Sequence, residues 1–289
     1  MYTAIAANKR KTLLIMAIFI VIIGVLGWIF GALYKMPSFL YLALVVGGVY
    51  ALIQYFAAAK IALAVNGAHQ IQKRDNPRLF RAVENLAITT GMPMPKVYVI
   101  DDPGLNAFAT GRDPKHAVVC ATTGLLDIME DSELEAVMAH ELGHIQNYDI
   151  RVMMIVFGLV SAVGFIADML MHMLWWRDEE DNNPLMVVLG IAAAILAPIV
   201  AMFVQLAISR QREYLADGTS ALTTRYPQGL VSALKKIQAN GSAVRRQNAS
   251  TAHLFFANPL KGNAIAKLLG THPPIEDRIA RLEAMGTKL

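Results

Sequence analysis

Residues 132–151 read SELEAVMAHELGHIQNYDIR, and the run that follows, VMMIVFGLVSAVGFIADMLMHMLWW (152–176), carries one acidic side chain, Asp168. The first stretch has the pattern of a helix. At about 3.6 residues per turn, His140 and His144 fall on nearly one face, so both imidazoles reach a single metal ion. Glu141, about 100° around the same helix, reaches instead a water on that ion. Two ligands and a base in the order H-E-x-x-H are what metal-assisted hydrolysis requires. Ser132-Glu133-Leu134-Glu135 reads as a capping box that starts the helix. Leu134, Val137, Met138, Leu142 and Ile145 make its packing side, and the pattern lets the helix continue through Tyr148 into the apolar run. So short a motif also fits a solvated helix face with two locally paired histidines, so the rest of the chain decides.

The chain has 289 residues, 55% hydrophobic and 17% charged, with a mean hydropathy of +0.44. That is more apolar than soluble domains usually are. The surplus gathers in four runs, about 13–33, 39–59, 152–174 and 185–208. Each has roughly twenty residues, enough to cross a hydrocarbon core of about 30 Å. The first run follows Lys9-Arg10-Lys11 but is longer than a signal-peptide core, and a second run follows at once, so it reads as a retained anchor. Four organisational segments result: an N-terminal transmembrane hairpin (1–59), a segment with the metal-binding helix (60–151), a second transmembrane hairpin (152–208) and a C-terminal segment (209–289).

Basic residues flank these runs unevenly. Lys9, Arg10, Lys11, Lys60, Lys73, Arg74, Arg151, Arg210 and Arg212 lie on one side. The loop Tyr34–Ser38 has one base, and the loop 175–184 is net acidic. The positive-inside rule puts both termini and the metal motif in the cytoplasm, with Trp175 and Trp176 at the far interface. The formal charge of +4 is explained by this topology; no aromatic-interleaved basic stripe points to nucleic acid. The single cysteine, Cys120, excludes an intramolecular disulfide and gives no sign of a Cys-based metal site.

Between the hairpins, 77–90 reads as an amphipathic helix with Leu79, Val83, Leu86 and Ala87 on one face. Residues 96–100, 106–110 and 116–122 read as short strands separated by turn signals. After the fourth run come helices over 210–222, 228–239 and 274–285, with a loose stretch at 240–252.

Catalytic zinc takes three protein ligands and leaves one position open, so a third ligand is needed. Ile150 stands where a third histidine six residues on would be. Glu213 and Asp217 are four apart on one helical face; one can bind the metal while the other accepts a hydrogen bond from a ligand imidazole. An ordinary juxtamembrane helix with Arg210 paired to Glu213 fits the same spacing.

The ordered set Asn106-Ala107-Phe108-Ala109, His140 to His144 with Asn147 and Asp149, Glu213-Tyr214-Leu215-Ala216-Asp217, and Thr271-His272-Pro273-Pro274 with Arg278 resembles HtpX-type heat-shock membrane metalloproteases. These belong to a larger group that includes the CAAX prenyl endopeptidases. The resemblance runs nearly end to end, and the chain keeps the pattern at all of these positions. It implies a mainly α fold with a small β-sheet: a multi-pass α-helical membrane protein with a gluzincin-like zinc protease domain at the cytoplasmic face. It also implies Glu213 as third ligand of one Zn2+ per chain, Glu141 as base, and His272 as a catalytic donor to the oxyanion. Asp217 and Asn147 are expected behind the ligands. Asn106, Ala107, Phe108 and Ala109 are expected to receive substrate by β-addition, with Arg278 orienting His272 or binding substrate.

The expected activity is endoproteolysis of misfolded membrane proteins or unfolded polypeptides at the inner membrane, in quality control under stress, beside other membrane quality-control proteases. A specific processing protease of the prenyl-peptide type shares the chemistry but needs a chamber among many spans. A non-catalytic chaperone with structural zinc would need four protein ligands, usually with cysteines. A transporter would want more ionisable residues in its spans than Asp168 and His172.

Overall fold

In the computed structural model, residues 2–33, 35–175, 210–245, 251, 254–257 and 273–286 are described. The expected fourth span (185–208) and His272 lie outside them. The N-terminal apolar runs form α1 (Tyr2–Leu33) and α2 (Ser38–Val65). Both are long and apolar enough to cross a membrane. α1 begins well before its apolar run, so Lys9, Arg10 and Lys11 lie within the helix; lysine and arginine are good helix formers and need not end one. The two helices touch where small residues allow it. A Cβ on Gly27 would stand 2.6 Å from that of Ala43, and one on Gly47 would stand 2.8 Å from Ile23 Cγ2. Their outward faces expose Leu13, Val21, Val25, Leu42, Val45 and Leu52, an apolar surface suited to lipid rather than water.

After α2 the chain enters a four-stranded sheet: β1 (His69–Gln70), β2 (Lys96–Ile100), β3 (Ala107–Gly111) and β4 (Ala117–Thr122), in the order β1-β2-β4-β3. β2 and β4 are parallel, and the outer pairs are antiparallel. Both faces of the sheet are covered. Val97, Val99, Ala107, Ala109, Val119 and Ala121 pack with α3 (Pro77–Thr90) and α5 (Asp131–Gln146). Ile100, Phe108, Val118 and Cys120 pack with α2 and with Met153, Met154 and Phe157 of α6 (Asp149–Trp175). Burial on both sides explains why every residue of β3 and β4 is buried and neither strand alternates between buried and exposed positions.

α3 starts where the sequence puts it, with Asn76 Oδ1 accepting from the Leu79 amide at 2.9 Å, and buries Leu79, Val83, Leu86 and Ala87. α4 (Thr123–Ile128) links the sheet to α5. Two expectations for α5 are corrected. Its capping box is formed by Glu130 and Glu133, two residues earlier than Ser132 and Glu135, and the Glu130 amide donates to Glu133 Oε2 at 2.7 Å. Lys236 and Ser232 also bind the Glu133 carboxylate, which fixes it there. The helix does not run through Tyr148. It ends at Gln146 with Asn147 as its C-cap, Tyr148 adopts φ +60°, and α6 starts afresh at Asp149. The later helices are α7 (Arg210–Thr224), α8 (Pro227–Asn240) and α9 (Ile275–Gly286). α7 and α8 both pack on α5, which is buried almost all round.

Candidate metal centre

α5 and α7 approach closely at Gly143, where an added Cβ would meet Thr219 Cβ at 3.3 Å and Ala216 Cα at 3.4 Å. Ser220 Oγ donates to the Ala136 carbonyl at 2.6 Å. This contact carries Glu213, on the first turn of α7, to the histidine face of α5. His140, His144 and Glu213 each offer one ligand atom within 4.8 Å of the others, the group among the described residues able to share an ion. His140 Nε2 and His144 Nε2 are 3.1 Å apart. Glu213 carboxylate oxygens lie 3.8 Å from the first and 3.5 Å from the second. Metal–nitrogen bonds of about 2.0–2.1 Å in a tetrahedral site separate two donors by roughly 3.3 Å, so the three residues fit a zinc ion.

The outward ring nitrogens support the same reading. His140 Nδ1 lies 2.9 Å from Asp217 Oδ1 and His144 Nδ1 lies 3.0 Å from Asp149 Oδ2. Each carboxylate accepts the Nδ1 proton, which leaves the Nε2 lone pairs for a metal. Asp217 also accepts both arms of Arg278, at 2.9 and 2.7 Å. Arg278 is 1% exposed. Its remaining nitrogen donates to the Phe256 carbonyl at 3.3 Å, and its guanidinium stacks 4.6 Å over the Phe256 ring. All three of its nitrogens are therefore engaged inside the protein, two of them on Asp217.

Burial and charge set the protonation states in the metal-free site. Burial drives His140 down to about 4 against the pull of Asp217. Burial also opposes charge on His144, but Glu213 and Asp149 outweigh it and raise that imidazole to about 9. Burial pushes Asp217 up, yet Arg278 and His140 together hold it at about 2. Glu141 is raised by burial to about 7. Its Oε1 is buried with no hydrogen-bond partner, an orphan acceptor beside the two histidines that calls for a proton-bearing guest.

Asn147 caps α5, and its side-chain Oδ1 has no partner. Asn106, Ala107, Phe108 and Ala109 run alongside α5, but the edge of β3 is already met by a short segment of this chain. Phe108 bridges Phe255 in antiparallel fashion, and the Phe256 amide donates to the Ala107 carbonyl at 2.8 Å. Asn106 spends its amide group on Ser242 and Ala257, at 2.9 and 2.8 Å. The Phe256 ring meets His140 edge-on, with centroids 4.8 Å apart.

Sequence reasoning gave no role to Asp149, five residues after His144, because the continuous helix it assumed left no corner to turn the carboxylate back. It also missed Asn8 and Phe256, whose places depend on tertiary contacts alone.

Residues 73–286 match the model of peptidase family M48. The chain is 54% identical over 290 residues to a protein named Protease HtpX homolog from Tropheryma whipplei (strain Twist), covering 100% of this chain and 99% of the relative. It is 43% identical over 298 residues to one of the same name from Streptococcus pneumoniae (strain Hungary19A-6), covering 99% and 100%. A crystal structure of Ste24p from S. mikatae superposes with a TM-score of 0.52 at 19% identity, over 98% of this chain and 67% of that one; at that identity the likeness is one of fold. The family match and the end-to-end relatives agree with the geometry, and the chain belongs to peptidase family M48, a metalloprotease anchored by apolar helices.

Proposed function

We propose that the chain is a membrane-bound zinc endopeptidase that cleaves misfolded or unfolded membrane-protein segments next to the cytoplasmic face of the inner membrane. The observation that carries it is the convergence of His140 Nε2, His144 Nε2 and Glu213 on one point, beside the unpartnered Glu141 Oε1. His140, His144 and Glu213 would hold the zinc, which supplies an acidified water and a Lewis acid for the scissile carbonyl. Glu141 takes the proton of the attacking water and returns it to the leaving amine. Its elevated proton affinity suits both steps near neutral pH. His140 is kept in the ligating tautomer by Asp217, which Arg278 holds in turn. His272 remains the proposed oxyanion donor.

The placement rests on the flanking charges, which favour cytoplasmic termini and a second hairpin over 152–208. Only Asn147 and Tyr148 separate α5 from α6, so the zinc ligands would sit at the mouth of the third proposed span. Substrates at the lipid boundary are then the accessible ones; the stress-related quality-control role, with other membrane quality-control proteases as partners, is what the kinship with proteins named Protease HtpX homolog suggests. The 106–109 edge would receive substrate as an added strand, in place of residues 255–257.

The test is Glu141→Ala in the purified full-length protein, assayed on an unfolded casein-type substrate and a misfolded membrane protein with zinc content measured in parallel. Cleavage falls at least a hundredfold while zinc stays stoichiometric. Undiminished cleavage rejects the mechanism.

A further inference from the structure

Asn8 belongs to the exposed, basic beginning of α1, yet it is 3% exposed. Its Nδ2 donates to the Asn147 carbonyl at 2.8 Å and to Asp149 Oδ1 at 2.7 Å. Asp149 is fully buried and gives its other oxygen, Oδ2, to His144 Nδ1 at 3.0 Å. A chain of hydrogen bonds therefore runs from the N-terminal apolar helix to a metal-ligand imidazole. The next residue reinforces it: the Lys9 ammonium sits 5.1 Å over the Tyr148 ring. Tyr148 is a non-glycine residue at φ +60°, a conformation that costs free energy and persists only where neighbours hold it. Asn8 and Lys9 grip that corner from outside.

Arg212 does not substitute for Asn8. Its Nη1 is 3.6 Å from Asp149 Oδ1, an ion pair, and its three guanidinium nitrogens make no hydrogen bond. Asp149 Oδ1 thus takes its hydrogen bond from Asn8. A neutral amide suits the place: it donates to both acceptors and adds no charge next to Lys11 and Arg212.

We propose that Asn8 is a positioning residue of the metal centre, fixing Asp149 and through it the ring plane and tautomer of His144. The cytoplasmic beginning of the first apolar helix is then part of the zinc site and not only an anchor. The inference rests on His140, His144 and Glu213 being the metal ligands.

The experiment uses full-length protein in detergent, stripped of metal and titrated with zinc against a chromophoric chelator, and separately loaded with Co2+ for its visible spectrum. Asn8→Leu, close in size but without donors, weakens zinc binding about 10- to 100-fold, the usual effect of losing a partner behind a ligand, and shifts the cobalt bands. Asn8→Gln, which keeps the amide, restores part of the affinity. In an Asp149→Asn background, Asn8→Leu adds little, because the link is already broken. Affinity within twofold of wild type with an unchanged cobalt spectrum, or a loss that adds in full to that of Asp149→Asn, overturns the proposal. If Asn8→Leu does not fold, Asn8→Asp puts a carboxylate against Asp149 at equal size and must weaken zinc at least as much. Glu213→Ala is run beside these. Zinc affinity unchanged in that variant overturns the ligand assignment itself, whereas a loss there with normal affinity in the Asn8 variants overturns only the role of Asn8.

Discussion

Asp217 stands between His140 and Arg278, with one oxygen 2.9 Å from the imidazole Nδ1 and 2.7 Å from a guanidinium nitrogen. All three side chains are almost completely buried. Removing the carboxylate therefore does two things at once. Asp217→Ala frees His140 to rotate and change tautomer, and it strands the Arg278 charge in the interior. Breaking a buried pair by deleting one partner costs about 3–5 kcal/mol, and loss of the residue behind a ligand costs about 10- to 100-fold in metal affinity. Asp217→Asn, which still accepts one hydrogen bond, should lose less of both. Urea unfolding and zinc competition measure the two effects separately; an Ala variant as stable as wild type would mean that Arg278 finds another partner.

Zinc uptake should release a proton near neutral pH. In the metal-free protein the Glu213 and Asp149 carboxylates, outweighing burial, raise His144 to about 9, above its value of about 6.5 in an unfolded chain. The imidazolium therefore stabilises the metal-free fold fully below about pH 6.5 and ceases to do so as pH rises through about 9. Zinc binds only the neutral ring, so its affinity should climb by up to about tenfold per pH unit between 7 and 9 from this group. Calorimetric titration in buffers of differing ionisation enthalpy counts the released protons. A count of zero at pH 7.5 would contradict the charged state of His144.

Phe256 tests whether the 255–257 segment is a wall or a stand-in for substrate. Its ring packs against both His140 and Arg278, and its amide occupies the Ala107 carbonyl that an added strand would use. Phe256→Ala removes a fully buried aromatic and should destabilise the fold by about 3–5 kcal/mol. If a substrate must displace this segment, cleavage of a short unstructured peptide should nonetheless rise several-fold at a temperature where the variant is still folded. A fall in cleavage in step with stability would assign the segment to the scaffold.

The histidine helix was legible because its information is local: the ligand spacing, the apolar face and the acidic first turn all lie within 131–146. Glu213 and Asp217 were legible as a pair on one helical face, though spacing alone left open which would bind metal. The strands were placed from β-rich runs between turn signals, and the family pattern supplied the rest. What escaped depended on one corner. Allowing α5 to continue into α6 left Asp149 without a role, although it is part of the family pattern, because on a straight helix a residue five positions after His144 does not face it. With no role for Asp149, Asn8, 141 residues away in sequence, had nothing to point to. Glu130 escaped as a cap because Ser132 is the residue type that usually fills that role.

Gly143 separates the demands of the helix from those of the metal. As an interior helix position, glycine costs about 1 kcal/mol relative to alanine, so Gly143→Ala would stabilise α5 if nothing opposed it. The added Cβ would approach Thr219 Cβ and Thr219 Cγ2 at 3.3 and 3.4 Å and Ala216 Cα at 3.4 Å, so α7 must yield by a few tenths of an ångström. That movement acts on the helix carrying Glu213. The two effects nearly cancel in stability but not at the metal centre, where a small displacement of one ligand is felt directly. Gly143→Ala should unfold within about 1 kcal/mol of wild type yet bind zinc more weakly. Gly143→Val, with two further methyl groups against α7, should lose both zinc and stability. Chelator competition and urea unfolding on the same preparations distinguish the two. If zinc affinity holds in the alanine variant while stability rises, the α5–α7 spacing has slack and the metal geometry does not depend on it.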